Sequence, residues 1–459
     1  MVGGGYGGVM HLRHPQLSGL GRNLSAPEDV LVRLARHPAG RHGMSMRQGQ
    51  LPDIAVEALL AHSDPGDTVH LHGRRISAVM QRRIAAHPDP AIRDAFPAFV
   101  RTMVERRVRV NIEDLEQVYG QPRADLLAHP DPRLRAAVAE AWRDRPLEAL
   151  TRMLADTEPA VREAATRHRQ PGLPAEVIAA CLADPATCAN VARYAELTSE
   201  QVLQLIRDGD DDLVEAVAGN PQLPAAAIEA MADVPHLVVR LAVAWSRHVD
   251  ADTRDRLFSQ AEAAAAAGDS DARIALAWNV TEPWWLLDEP LERRLSFLDA
   301  PRAEFRRVLA DCRDLPEHAW QRLDNDPDLR VRRAAARRPD TPAEVLERLV
   351  RGHGEARRIR PTHVEHPNFP REQLRTFVED PNPAARRAAL QDPTLPVDAL
   401  ERLAAEPGMR QAVAAHPMLD EALFSRLLAD TDPAVVETAA ANSILPPDLM
   451  YRILAELDL

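Results

Sequence analysis

Three histidines in the stretch HSDPGDTVHLHGRR, namely His62, His70 and His72, have a type and spacing that could hold a metal. An H-x-H pair with a third imidazole is the beginning of a zinc site. Nothing in the sequence fixes carboxylate partners for them, and the stretch reads as an irregular loop, so solvated histidines are expected. DGDDD at 208–212 lacks the alternating acids and closing Glu of a calcium loop. It is better explained as a capping cluster before LVEAVAG. Cys181, Cys188 and Cys312 form no C-x-x-C pair. Neither G-x-S-x-G nor H-E-x-x-H occurs. The expectation is a protein without catalytic site, metal or cofactor: not an enzyme.

Arginine is the remaining chemically capable residue. The sequence contains no lysine, so all 56 basic side chains are guanidinium groups. Schiff-base chemistry and a P-loop lysine are thereby excluded. Arginine follows an aliphatic or small residue in Ile92-Arg93, Leu134-Arg135, Val161-Arg162, Val239-Arg240, Val331-Arg332 and Ala385-Arg386. An acidic or amide residue stands a few positions upstream in most of these stretches. Guanidinium and carboxylate pair bidentately, so Arg93, Arg135, Arg162, Arg240, Arg332 and Arg386 are expected to form a structural ladder. The next position holds Arg333, Arg387, Glu163, Glu437 or Asp94. Its changing sign suggests a solvent-facing site. Arg330, Arg333 and Arg337, spaced i, i+3, i+7, and Arg387 are therefore expected to contact a partner. So are Trp284 and Trp285 in NVTEPWWLLDEP: adjacent helical positions diverge by about 100°, so one indole should pack and the other lie at the surface.

The elements that must position these residues are helices written repeatedly. DPDLRVRRAAARRPDTPAEVLERL at 326–349 returns as DPNPAARRAALQDPTLPVDALERL at 380–403. In the first copy, Asp326 reads as a cap and Pro327 as a first helical position. Val331, Ala334 and Ala335 share a helical face, and Pro339 ends the helix. Thr341 and Pro342 restart the chain, and Val345, Leu346 and Leu349 make a second stripe. The prolines Pro339, Pro367, Pro393 and Pro417 step by 28, 26 and 24 residues. At that period the chain has room for roughly 17 repeats. Helices this short are marginal alone and persist only when neighbouring repeats cover them.

A period near 25, DPxVRxxAA first segments, NPxLP turns and LxxLL-like second helices resemble the leucine-rich repeat variant family, similar in style to bacterial HEAT-like arrays. The resemblance is clear over residues 130–459 and weaker over 22–129, where APEDVLVRLARHP, QLPDIAVEALLAH and HPDPAIRDAF carry it. It implies an all-α fold: a right-handed α-solenoid, or superhelix, of two-helix repeats in which α and 3-10 helices alternate. The founding member's iron–sulfur cluster is not carried over, because no cysteine precedes Cys181. The expected organisation is a flexible Gly-rich segment at 1–21, degenerate repeats at 22–129, and a regular array at 130–459 continuous with them.

Charge is blocked along the chain. Residues 74–109 hold nine arginines against three acids, and 196–236 hold nine acids against one arginine. Net charge is −13. A phosphate-tracking groove needs a continuous positive surface, whereas alternating patches suit a protein partner. The expected function is a non-enzymatic, monomeric, cytoplasmic scaffold binding a protein. A nucleic-acid-binding solenoid and a repeat protein with a hidden metal or catalytic site are the alternatives. No run approaches a membrane span.

Overall fold

The computed structural model describes residues 13–62, 71, 75–168, 173–234, 236–278, 282–355 and 361–459. Every regular element among them is helical. Most helices have five to eleven residues, and 3-10 helices occur at Trp284–Asp288, Ser296–Asp299 and Arg371–Glu379. Consecutive helices pack in chain order, as in an α-solenoid. The chain divides into two bodies, residues Val100–Arg338 and residues Met1–Phe99 with Pro339–Leu459.

The start of each repeat divides its labour between two residues. In the repeat beginning DPD, Asp328, rather than Asp326, is the N-cap: its carboxylate accepts Arg330 N–H at 2.7 Å. Asp326 stands two residues earlier and accepts Asp328 N–H at 2.8 Å. The same pair recurs as Asp380 with Asn382, Asp430 with Asp432 and His129 with Asp131. The earlier residue shapes the turn and the later one satisfies an orphan helical N–H. In the second helices, Pro146, Pro224, Pro316, Pro342, Pro396 and Pro446 are themselves N-caps, one position earlier than the sequence reading had Pro342.

Aliphatic side chains fill the seam between neighbouring first helices. In the Val100–Arg338 body, helix Pro132–Ala141 packs along Pro159–Thr166. Buried Leu134, Val138, Val161 and Ala165 fill the seam.

The other body holds an arrangement absent from the sequence reading. Helix Pro15–Arg22 packs on helix Pro433–Ala441, so the first repeat covers the last. Leu17 and Leu20 are fully buried. Residues 15–21 are therefore ordered helix, not the flexible segment expected for 1–21; MVGGGYGG lies outside the described residues. Apolar burial explains the order: an amphipathic turn with a face to cover it folds.

One side-chain ladder runs across this contact between the first and last repeats. His416 Nε2 lies 2.8 Å from Asp392 O. Asn442 donates to Ala414 O and His416 O at 2.9 Å each. Asn23 donates to Ala440 O at 3.0 Å and Asn442 O at 2.7 Å. Arg47 then reaches Asn23 O and Leu24 O, and Arg75 reaches Ser45 O and Arg47 O. Asn23 thus occupies the place a further C-terminal repeat would give its asparagine. Asn442→Ala removes the donor from two buried carbonyls, and urea unfolding should show a loss of about 1–3 kcal/mol.

Candidate functional site

A rung is built from one arginine, two backbone carbonyls and one carboxylate. Arg135 sends Nη1 to His129 O at 2.9 Å and Pro130 O at 3.3 Å, both of its own repeat. Its Nε and Nη2 grip Asp156 of the following repeat at 2.7 and 2.8 Å. Asp156 O in turn accepts Arg162 Nη1 at 2.9 Å, and Arg162 grips Asp184 at 2.7 and 3.2 Å. Asp156 thus closes one rung with its carboxylate and opens the next with its carbonyl. The guanidinium of Arg135 holds the Asp156 carboxyl below the usual carboxylate range, and that of Arg162 does the same to Asp184.

The geometry recurs in the other body, where Arg386 reaches Asp380 O and Pro381 O and pairs with Glu406 at 2.7 and 2.8 Å. The carboxylate lies about one repeat downstream, while the upstream residue offers only its carbonyl. Among the described residues, Arg135, Arg162 and Arg386 show this full set. Arg332 donates to Asp326 O and Pro327 O. Arg93 donates to His87 O at 3.3 Å and pairs with Asp94 of its own repeat. No carboxylate pairs with Arg240 among the described residues, and its Nε is buried without a hydrogen bond.

The sequence reading missed two comparable pairs. Arg306 donates to Ala300 O and Pro301 O and grips Asp326 at 2.7 and 3.0 Å. Arg410 pairs with Asp430 at 3.0 Å. Arg306 follows Phe305, so widening the preceding position to aromatics would have found it.

The position after the rung is not the solvent-facing site expected. Arg333, Arg387, Glu163 and Glu437 are half-buried; only Asp94 is exposed. Arg387 donates to Gly408 O of the next repeat. Arg167 pairs with both Glu163 and Glu140 at 3.0 Å. Neighbouring first helices lie side by side, so a residue one step beyond the rung still faces the groove between them.

Arg330 is exposed and pairs with Asp328 and Glu304. Arg337 is exposed but lies beyond the helix Leu329–Ala335, so it does not continue the helical face of Arg330 and Arg333. His70 and His72 fall outside the described residues. His62 is exposed at the end of helix Asp53–His62. Among the described residues no group of three metal-ligating side chains gathers. Asp210 caps helix Asp211–Ala218, accepting Leu213 N–H at 3.0 Å.

The tryptophan pair divides as the helical geometry requires. Trp285 donates Nε1–H to Trp245 O at 2.9 Å and meets Phe297 edge-on at 5.7 Å. Arg254 lies over Trp285, Phe297 and Phe305. Burial pulls Arg254 down to about 10, and its guanidinium is satisfied by Ala244 O, Ser246 O and Val249 O. Trp284 remains 48% exposed, with Arg307 over its ring at 5.5 Å. Leu287, one 3-10 turn on, and Leu291 are also exposed.

These elements define a helical repeat protein whose repeats are joined by side-chain ladders. No helix among the described residues is long and apolar enough to cross a membrane. The leucine rich repeat variant family model matches residues 329–351, so the chain carries a repeat of that family. The matched window holds the helix Leu329–Ala335, the Pro339 turn and most of the helix Ala343–His353. No match was found among the curated proteins.

Proposed function

We propose that this chain is a non-enzymatic scaffold that binds a protein partner on the surface of its helical array. The supporting observation is the exposed apolar pair Trp284 and Leu287, which share a 3-10 face. Tryptophan and arginine are both enriched among the residues that carry binding energy at protein interfaces. The neighbouring Trp285 is committed to internal packing, so Trp284 is held out on a rigid element rather than on a loose loop.

The test is affinity capture from the source cells with and without nuclease, using the full chain and Trp284→Ala. A protein retained after nuclease and lost by at least about tenfold in the variant is expected, as for a hot-spot residue. Captured material that disappears with nuclease would establish nucleic-acid binding instead.

A further inference from the structure

A cleft of about 170 Å³ opens in the Val100–Arg338 body, between helix Pro132–Ala141, helix Pro159–Thr166 and the segment Val104–Val110. Its floor is small and apolar: Ala136, Ala137, Ala160 and Ala164, with Val104 beside them. Four guanidinium groups line it, of which Arg167 is taken up by Glu140 and Glu163. Arg107, Arg109 and Arg133 are exposed, and none makes an ion pair among the described residues. That separates them from the ladder arginines, whose donors are consumed inside the protein. Of the acids at the rim, Glu140 and Glu163 are already neutralised by Arg167 at 3.0 Å. Glu158 remains.

Arg107 carries a further mark. Helix Ala95–Glu105 ends in a Schellman turn, with Val108 N–H bonded to Met103 O at 2.9 Å and Arg107 N–H to Val104 O at 3.1 Å. The left-handed residue of such a turn is usually glycine. Here it is Arg107, at φ 55°. A long, charged residue therefore occupies a backbone conformation that glycine would adopt without strain, and its side chain lines the cleft. Strain of this kind points toward function when it coincides with a site.

We infer that this cleft docks an acidic, extended segment of a partner protein, with one aliphatic side chain on the alanine floor and flanking carboxylates on Arg107, Arg109 and Arg133. The inference rests on the protein-binding reading above and gives that reading a second site with a stated partner chemistry. Size discriminates among ligands: cofactor and drug-like sites run to roughly 300–1,000 Å³, whereas this cleft suits a side chain. The floor offers no polar group for a base edge. Guanidinium groups, by contrast, match carboxylates bidentately.

The test uses the full chain and fluorescent short peptides: one leucine flanked by Asp and Glu, the same peptide with glycine for leucine, and one with arginine for the acids. Fluorescence anisotropy should show binding of the first, weaker binding of the second and none of the third. Arg107→Gly is the decisive variant. It should melt at the same temperature as the parent or higher, because glycine relieves the turn, while binding the acidic peptide several-fold more weakly. Arg107→Gly with Arg109→Glu and Arg133→Glu should weaken it at least about tenfold, since each reversal replaces attraction by repulsion. Equal binding by parent and variants, no binding by the parent, or displacement of the peptide by a single-stranded oligonucleotide at equal concentration would each overturn the inference. So would a lower melting temperature for Arg107→Gly, which would make Arg107 a structural residue. If the nuclease-resistant partner is captured equally by the parent and the triple variant, the scaffold reading stands and this cleft is not its docking site. If only nucleic acid is captured, the scaffold reading itself fails.

Discussion

Arg306→Ala should destabilise the Val100–Arg338 body by about 3–5 kcal/mol, the range for breaking a buried ion pair by removing one partner. The side chains of Arg306 and Asp326 are 11% and 5% exposed, so water cannot replace the lost guanidinium. Asp326 would keep a single side-chain bond, from Asp328 N–H, and Ala300 O and Pro301 O would lose their donor. The stability gained from such a pair is not the pair's Coulomb energy, because desolvation opposes it. The cost arises from the orphaned charge. Arg306→Met combined with Asp326→Asn should therefore recover most of the loss, since the asparagine oxygen can still accept Asp328 N–H. Urea unfolding of the parent and both variants measures this. Repeat arrays couple mainly to neighbours, so the single variant should broaden the transition as well as shift it. A silent Arg306→Ala would mean that the rung is decoration on an interface held by its apolar seam.

Gly43→Val is expected to cost about 3 kcal/mol or more, at or above the upper end of ordinary overpacking. A Cβ at Gly43 would stand 2.0 Å from Ser18 O and 2.8 Å from Ser18 C. Both are main-chain atoms of helix Pro15–Arg22, so no rotamer can yield. That helix is pinned on its other side: a Cβ at Gly19 would meet Glu437 O at 2.3 Å. Ser18 also donates to Glu437 Oε1 at 2.7 Å, and Arg22 pairs with the same oxygen at 3.2 Å. Relief requires helix Pro15–Arg22 to part from helix Pro38–Met46 or to lift from Pro433–Ala441. Limited proteolysis should then cut Gly43→Val within its first 50 or so residues at a protease level that spares the parent. Gly408→Ala is the control, because nothing lies within 4 Å of its Cβ. It should be silent in both assays.

The division between sequence and tertiary structure runs along the reach of each interaction. Helix starts were legible because caps and prolines act within a few residues: Asp432-Pro433 and Pro446-Pro447 mark their helices wherever they fold. The repeat period was legible because short helices must be covered by copies of themselves. The rung arginines were legible as a recurring position, and Arg135, Arg162 and Arg386 take it. Their carboxylates were not. Asp156, Asp184 and Glu406 lie 20–22 residues away, and many of the chain's 69 acids would satisfy the chemistry equally. Helical geometry required Trp284 and Trp285 to diverge, but only the position of Trp245 O decided which one is buried. The docking of Pro15–Arg22 on Pro433–Ala441 was beyond sequence reading altogether. Asn23 and Asn442 are separated by 419 residues, and no local rule couples them. Their pairing requires both faces to exist first, as shaped surfaces, before either can recognise the other.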